Sequence, residues 1–562
     1  MSHATPSTNV ENVRQEGVFS HREILVILSG LMLGMFLAAL DQTIVSTAIR
    51  TIADDLNGYS LQAWVTTAYL ITATLATPLY GKLSDMYGRK PFFMAAIIIF
   101  VLGSLLCTMA QTMYMLAAFR AFQGLGAGGL MSLALAILGD IVGPRDRAKY
   151  QGYFLAVFGT SSVLGPVLGG LLAGQDSILG IEGWRWVFLV NVPIGMFALA
   201  VVYRVLHLPK VHKPGVRIDW WGALVLAIGI VPLLIVAEQG REWGWGSTAS
   251  VSCYVIGAVG VIGFVFVEKS MRDAALIPLR MFRNSTFALG VVISIVVGAA
   301  MFGGISLLPQ YLQVVRGSSP TLAGLQMLPM VLGLMIGSIT SGQLIAKTGH
   351  YRIFPLVGAS MLTLGMFLLH FVQADSPLPV VMMFMVITGF GLGNLMQPLT
   401  LAIQNALPPQ DMGVSTAAAT FFRQIGGTLG VAVFLSILFA QLTPNITSQL
   451  QSAAQDPAFQ QAVVAGAHST NPADVALATG LATHDTSAAA GVLQDSSVIQ
   501  QLSPILAQPF KVGFADSMSV VFLTVTVIAL LALVLVAFWK EVPLRTAGGL
   551  AAARQESDGS PD

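Results

Sequence analysis

Apolar runs long enough to cross a membrane recur along almost the whole chain, and this recurrence limits the fold more than any other feature. A spanning helix needs about 20 mainly apolar residues. Only 10% of the 562 residues are charged, against about 25% in soluble domains. The sequence therefore predicts an all-α, polytopic membrane protein. Fourteen spans are predicted, at 24–49, 62–81, 91–111, 113–142, 150–174, 186–206, 219–238, 251–267, 287–312, 321–346, 353–373, 379–406, 412–440 and 518–540.

Charge and cysteine content argue against several classes of protein. A net charge of +1 supplies no basic field for nucleic acid. Cys107 and Cys253 lie in separate apolar runs, and the eight histidines show no metal-ligand spacing, so we expect no disulfide framework and no metal. No phosphate-binding loop or nucleophile elbow occurs at a suitable place. We expect no cofactor and no enzymatic activity.

The distribution of lysine and arginine predicts the orientation. With the N-terminus inside, 21 of the 28 cations fall in cytoplasmic segments, as the positive-inside rule requires. Residues 1–22 are polar, and the first apolar run contains Asp41 and no small-residue cleavage site, so we expect that run to remain as the first span. The prediction is a multi-pass protein of the inner cell membrane with both termini in the cytoplasm.

Residues 441–517 break the pattern of short loops. They connect the last two spans on the external side, are rich in Ala, Gln, Ser and Asp, and contain Lys511 as their only cation. Residues 448–466 are predicted to form short amphipathic helices, and residues 467–496 to be flexible. Two interpretations stay equally open: a solvated connector, or a surface that contacts an external partner.

The short loop after the second span carries the strongest motif. It runs from Gly81 to Pro91, and its distinctive residues are Gly81, Asp85, Gly88, Arg89 and Lys90. Glycines permit a tight reversal, and an aspartate flanked by cations can change partners between helix ends. The motif resembles the cytoplasmic loop motif of the major facilitator superfamily, which implies a gate, although a charged turn that only sets topology is the alternative.

A weaker copy of this motif follows the tenth span, at residues 342–352. It has Ala346 and Lys347 where the first copy has Asp85 and Met86, so the second loop lacks the aspartate of the motif. The repetition indicates two related halves, as secondary transporters are built.

The fifth span combines closely spaced glycines with a proline. Glycines four apart let helices approach closely, and a proline inside a span bends the helix. The pattern resembles the antiporter motif of drug exporters in the same superfamily, which implies a packed hinge. Its residues are Gly159, Gly165, Pro166, Gly169 and Gly170.

Two opposite charges lie inside predicted spans at similar depth. Asp41 comes nine residues before Arg50, about 13 Å from the outer surface, and Arg120 comes seven residues after Met113, about 10 Å from it. Intramembrane charges are costly unless they are paired or face a cavity. We expect an ion pair that takes part in proton coupling. A static bridge that only holds the bundle together is the alternative.

Together with these features, Trp184–Gly195 and Phe421–Gly427 resemble the EmrB/QacA-type fourteen-helix branch of drug:proton antiporters. The resemblance implies a central cavity between two six-helix bundles, with Asp41 as the coupling residue. The implied organisation is a cytoplasmic segment 1–23, a six-helix bundle 24–206, an inserted helix pair 219–267, a six-helix bundle 287–540 with external loop 441–517, and a cytoplasmic tail 541–562.

Polar side chains within the spans are the candidates to line such a cavity, although each is as good a candidate for an interhelical hydrogen bond. They are Gln123, Asn191, Gln310, Tyr311, Asn394, Gln397, Gln404, Arg423 and Gln424.

The function that the sequence predicts is proton-coupled export of hydrophobic, cationic drugs or toxic compounds by alternating access. The expected partners are a small amphipathic substrate, protons and the lipid bilayer, with an external protein at 441–517 as an open possibility. One alternative is export or flipping of a lipid. A non-transporting receptor or scaffold is another, and Asp41 argues against it because a scaffold does not need a buried intramembrane carboxylate.

Overall fold

The computed structural model describes residues 20–56, 61–208, 218–482 and 496–544, and these are almost entirely helical. The predicted cytoplasmic tail 541–562 and segment 1–23 lie largely outside the described residues. The helices are α1 His21–Asp55, α2 Gln62–Tyr87, α3 Arg89–Thr108, α4 Met113–Ile141, α5 Pro144–Ala173, α6 Arg185–Leu189, α7 Asn191–Val205, α8 Trp220–Trp243, α9 Thr248–Met271, α10 Ser285–Gln310, α11 Pro320–Gln326, α12 Leu328–Thr348, α13 Ile353–His370, α14 Leu378–Asn405, α15 Met412–Ala453, α16 Pro457–Ala467, α17 Pro472–Ala482 and α18 Pro504–Ala537.

The prediction of fourteen spans agrees with these helices. Thirteen helical segments of the described chain are long and apolar enough to cross a membrane. The remaining predicted span corresponds to α2, which is 26 residues long and more polar because it contains five threonines. Two spans are interrupted: α6 and α7 form one, and α11 and α12 form another. The first break has a simple cause, since Pro193 has no N–H to donate to the carbonyl of Leu189.

The helices pack as two groups with a separate pair beside them. Helices α1 to α7 share buried apolar clusters that include Leu37 and Phe100. Helices α10 to α15 and α18 share another, which includes Leu362 and Phe434. The groups meet where α5 packs on α12 and α2 packs on α15. The pair α8 and α9 contacts both α2 and α15, with Leu226 of α8 packed in a cluster that includes Phe421.

A small β-hairpin is the one regular element that is not helical in the described part of the chain. Strand β1, Ser177–Ile178, pairs antiparallel with β2, Ile181–Glu182. The turn between them has Leu179 at φ +55° and Gly180 at φ +78°. The two strands are too short to give a periodic signal, so the sequence does not predict them.

Residues 441–517 are more ordered over their described part than their composition suggests. Helix α15 continues to Ala453 and α18 already begins at Pro504, so both extend beyond the predicted span ends. The flexible segment predicted at 467–496 is wrong over Pro472–Ala482, which forms α17; residues 483–495 lie outside the described residues. Apolar packing explains the difference. Phe459 of α16, Leu477 of α17 and Leu506 of α18 are all buried in the same apolar cluster. We call residues 454–503 the appendage.

Candidate functional site

The intramembrane charges Asp41 and Arg120 form a direct ion pair. Nη1 of Arg120 donates to Oδ2 of Asp41 over 2.5 Å, and the side chains are 1% and 0% exposed. The other carboxylate oxygen, Oδ1, accepts hydrogen bonds from Gln123 Nε2 at 2.9 Å and from Asn191 Nδ2 at 2.7 Å. Four of the residues that the sequence singles out therefore meet at one carboxylate, which has donors on both oxygens.

Helix geometry explains why these side chains meet. Arg120 and Gln123 are three residues apart and so share one face of α4, and Nη1 of Arg120 also donates to Gln123 Oε1 over 2.6 Å. Asn191 is the first residue of α7, just after the break at Val190, so its amide is brought to α1. Gln123 Nε2 also donates to Ser104 Oγ over 2.6 Å. The cluster joins α1, α3, α4 and α7.

Aromatic rings enclose the guanidinium of Arg120. Its Cζ lies 4.0 Å from the centre of the Tyr69 ring and 5.9 Å from that of Phe188. A cation over an aromatic face is attracted by the ring quadrupole, more strongly where water is excluded. Arg120 therefore has attractive partners besides Asp41, namely these two rings and Gln123.

The loop motif lies at a contact between the two groups. Asp85 accepts hydrogen bonds from the backbone N–H groups of Gly413 at 3.1 Å and Val414 at 2.9 Å, at the start of α15. The positive end of the α15 dipole favours a carboxylate at this place. Arg89 bridges Asp85 at 2.5 Å and Asp140 at 2.7 Å. We call Asp85, Arg89 and Asp140 the latch.

Glycines allow the latch to form. Gly81 faces Ala417 of α15 so closely that a Cβ would not fit, and Gly88 ends α2 at φ +98°. Lys90 does not reach the other group: its Nζ donates to the carbonyl of Tyr203 over 2.7 Å. The motif therefore divides into residues that hold α15 and a lysine that holds α7.

Arg147 makes a second contact between the groups. It is fully buried, donates to the carbonyls of Gly139 at 2.7 Å and Val142 at 3.0 Å, and binds Gln404 Oε1 of α14. Burial lowers the pKa of Arg147 to about 10, which leaves it protonated at neutral pH. From the sequence, Arg147 is predicted only as one of the 21 cytoplasmic cations. The sequence signal that could have identified Arg147 as a contact residue is its position in the first turn of α5, three residues after Pro144.

The residues of the antiporter motif lie along the seam that α5 forms. Gly165 and Gly169 contact Thr43 and Ile44 of α1, and neither position has room for a Cβ. On the other side, Gly159 lies against Val331 of α12, Pro166 against Gly324 of α11, and Gly170 nearest to Thr321. Helix α5 thus touches the residues that follow Asp41 and also the second group.

The remaining candidates are dispersed through the second group. Gln397 accepts from Ser338, Gln404 donates to Thr416 over 2.8 Å, and Asn394 donates to the carbonyl of Phe390. Tyr311 is not placed with these, because it is buried and its hydroxyl donates to the carbonyl of Gln373.

Three polar candidates have few partners within the described residues. Gln310 is half-buried. Gln424 has a buried amide oxygen without a hydrogen bond in the described structure. Arg423, 8% exposed, donates to Thr400 Oγ1 over 3.4 Å.

Comparison with known proteins identifies the family. Residues 31–431 match the Major Facilitator Superfamily. Multidrug transporter protein MdtP of Bacillus subtilis (strain 168) is 36% identical over 465 residues, which are 82% of this chain and 84% of MdtP. Multidrug resistance protein 3 of the same organism is 39% identical over 409 residues, 73% of this chain and 78% of that protein.

Solved structures show the same fold. The proton:xylose symporter XylE bound to 6-bromo-6-deoxy-D-glucose superposes with a TM-score of 0.56 at 14% identity, covering 95% of this chain and 99% of that one. The architecture is therefore two six-helix bundles plus two additional helices, and α8 and α9 are the pair that stands apart from the two packed groups. The chain belongs to the Major Facilitator Superfamily and is a multi-pass membrane transporter, not an enzyme.

Proposed function

We propose that the protein is a proton-coupled exporter of hydrophobic compounds, in the EmrB/QacA-type fourteen-helix branch. The observation that carries this proposal is the buried Asp41–Arg120 pair with Gln123 and Asn191. A buried carboxylate with an adjacent cation can exchange a proton when its partners change. The names of the relatives MdtP and Multidrug resistance protein 3 support drug-like cargo.

The latch supports alternating access. Asp85 of the first group is bound to the start of α15 in the second, and Arg147 is bound to Gln404. These contacts hold the cytoplasmic ends of the two groups together, so the conformation is closed on that side. Opening requires Asp85 to leave the two N–H groups and Arg147 to leave Gln404. We propose inner-membrane localisation, cytoplasmic termini and the predicted boundaries of bundles and inserted pair as part of this function.

The charge of the substrate is the finer part of the proposal. The resemblance to drug:proton antiporters implies cationic cargo. Asp41 could receive an organic cation only after releasing Arg120, because both of its oxygens accept hydrogen bonds in this conformation. Proton uptake and cation binding would then compete for one carboxylate, which is a simple basis for antiport.

Transport by the purified protein in lipid vesicles tests the proposal. With a pH gradient imposed, accumulation of tetraphenylphosphonium, a hydrophobic cation, should depend on the gradient and disappear in Asp41→Asn. Transport that persists without a gradient, or at the same rate in Asp41→Asn, would contradict proton coupling through this residue.

A lipid exporter is the second candidate function, and the appendage favours it. Helices α15 and α18 extend from the membrane directly into the appendage. The appendage would then offer a protein surface next to the point where a lipid leaves the transporter. The same vesicles, tested with a fluorescent phospholipid, separate the two functions. Movement of the lipid without accumulation of the cation would replace drug export by lipid export.

A further inference from the structure

Arg423 is a cation deep in the membrane that has few polar partners among the described residues. It lies 11 residues after Met412, the start of α15, which places it about 17 Å above the latch. Its side chain is 8% exposed, and within the described residues its guanidinium has one side-chain hydrogen bond, to Thr400 Oγ1 at 3.4 Å. That hydroxyl itself donates to the carbonyl of Met396. Arg423 therefore has one weak, neutral partner.

The helix that carries Arg423 and two of the helices packed against it contain no acidic residue that could balance it. Its own helix α15 and the neighbours α10 and α14 have no Asp or Glu anywhere in their sequences. The other intramembrane arginine, Arg120, is paired with Asp41, and Arg89 is paired with two carboxylates. An unpaired charge at this depth costs several kcal/mol or more.

Backbone carbonyls can replace a carboxylate as hydrogen-bond acceptors for a buried arginine, as they do for Arg147. Arg147 is fully buried and donates to two carbonyls where α4 ends. Within the described residues, no backbone carbonyl accepts a hydrogen bond from the side chain of Arg423. Its neighbour on α10 is Gly298, which packs against the backbone of Arg423 and offers no side chain. A structural role is therefore poorly supported, and the guanidinium is left to bind something from outside the protein.

We propose that Arg423 binds the anionic group of an amphipathic ligand: a carboxylate, sulfonate or phosphate attached to an apolar body. Guanidinium groups bind such anions through two parallel hydrogen bonds, and these are stronger than neutral ones. The inference rests on the proposed function, because it assigns a ligand class to the transporter. It differs in charge from the cationic cargo that the resemblance implies.

The test measures binding without any gradient. The full-length purified protein is placed in phosphatidylcholine nanodiscs, and equilibrium dialysis gives the Kd of 2-naphthoate, 2-naphthalenemethanol and 2-naphthylmethylammonium. These probes share one apolar body and differ in charge. The anion should bind about tenfold more tightly than the neutral probe, or better. Arg423→Gln should remove this ratio and leave the Kd of the neutral probe unchanged, and Arg423→Lys should keep part of it.

Arg241→Gln is the matched control, since it also removes an arginine beside α15, where its guanidinium lies over the ring of Phe439, but should leave the ratio intact. A wild-type protein without anion preference, or an Arg423→Gln variant that keeps it, overturns the proposal. Nanodiscs with phosphatidylglycerol identify the source: loss of naphthoate binding there assigns the site to a lipid headgroup, and retention assigns it to a small amphipath. Failure of proton-driven transport leaves these equilibrium ratios unaffected, so the two proposals fail separately.

Discussion

The two halves of the transporter each bury one arginine in the membrane, and they balance it in opposite ways. In the first half, Arg120 binds Asp41, Gln123 and the faces of Tyr69 and Phe188. In the second half, Arg423 has Thr400 as its one described side-chain partner. The same residue type is thus internally compensated on one side and left for an external partner on the other.

The contrast suggests a division of labour between proton and substrate. A closed ion pair can change its charge state when a proton arrives, because the carboxylate and its partner are both supplied by the protein. An unpaired guanidinium keeps its charge at any physiological pH. We therefore expect proton coupling to depend on the first half, and discrimination by ligand charge to depend on the second.

Removing the carboxylate of the first half should have the largest effect. Asp41→Asn leaves Arg120 unpaired, as Arg423 is, and leaves no group that can exchange a proton there. Gradient-driven efflux from vesicles should be abolished while the protein still inserts and purifies normally. Glu238→Gln, which neutralises a carboxylate near the C-terminal end of α8, is the control and should retain efflux. Wild-type efflux in Asp41→Asn would end the assignment of coupling to this residue.

Giving Arg423 an internal partner should make the second half resemble the first. Thr400→Glu places a carboxylate on the neighbouring turn of α14, where Thr400 now contacts the guanidinium. The preference for 2-naphthoate over its neutral analogue should fall about tenfold, since the ligand must displace an ion pair. Thr400→Gln has the same shape without the charge and should keep the preference. Equal loss in both variants would point to steric blocking instead.

Removing the cation of the first half should shift the pH dependence of transport. A neighbouring positive charge favours the ionised carboxylate, so Arg120→Ala favours the protonated form of Asp41. Proton release then needs a higher pH, and the pH profile of transport should move upward. Arg120→Lys keeps the charge and should shift the profile less. A profile that stays in place, with only substrate affinity weakened, would mean that Arg120 contacts substrate instead of tuning Asp41.

The sequence predicts the surroundings of Arg120 better than those of Arg423. Depth along two helices was enough to bring Asp41 and Arg120 together, because helical rise is nearly constant. The sequence indicates Gln123 and Asn191 only as cavity candidates, since the break at Val190 that brings Asn191 to Asp41 depends on tertiary packing. It indicates Arg423 in the same way. Within the described residues Arg423 has no acidic partner, and this depends on the packing of α10 and α14 around it, which a single sequence does not reveal.

The latch and the appendage show the same limit. The motif from Gly81 to Lys90 indicated a gate, and α15 could not be identified as its partner because Gly413 and Val414 contribute only backbone N–H groups. Composition suggested a flexible 467–496, yet scattered apolar residues such as Leu477 are enough to fix a helix once α18 supplies a surface. Backbone donors and non-local apolar contacts leave little trace in a single sequence.

Loosening the latch should have a moderate effect and separates conformation from charge. Asp85→Asn weakens the hold on the start of α15, the helix that carries Arg423, so the cytoplasmic side should open more often. Spin labels at Tyr87→Cys and His350→Cys, both exposed, should report longer distances. Lys90→Gln should leave the distances unchanged, because Lys90 binds Tyr203 of its own group. Identical distributions in Asp85→Asn and the parent would remove the latch from the gating mechanism.

Replacing the appendage should have the smallest effect, and it tests whether the second half has an external role beyond ligand charge. The two helices that carry the appendage are held together below it, where Gln449 donates to Asp516 over 3.0 Å and Asn445 to Ser517 over 3.0 Å. A Gly/Ser linker in place of residues 454–503 leaves these contacts intact and need only join the ends of α15 and α18. Efflux of tetraphenylphosphonium and the anion preference should both survive. A deeper cut that removes Phe510, which is fully buried, serves as the comparison and should destabilise the fold by about 3 kcal/mol or more. If the shorter replacement leaves a stable protein that no longer exports the cation, the appendage is part of the transport route, and lipid export becomes the better description of both halves.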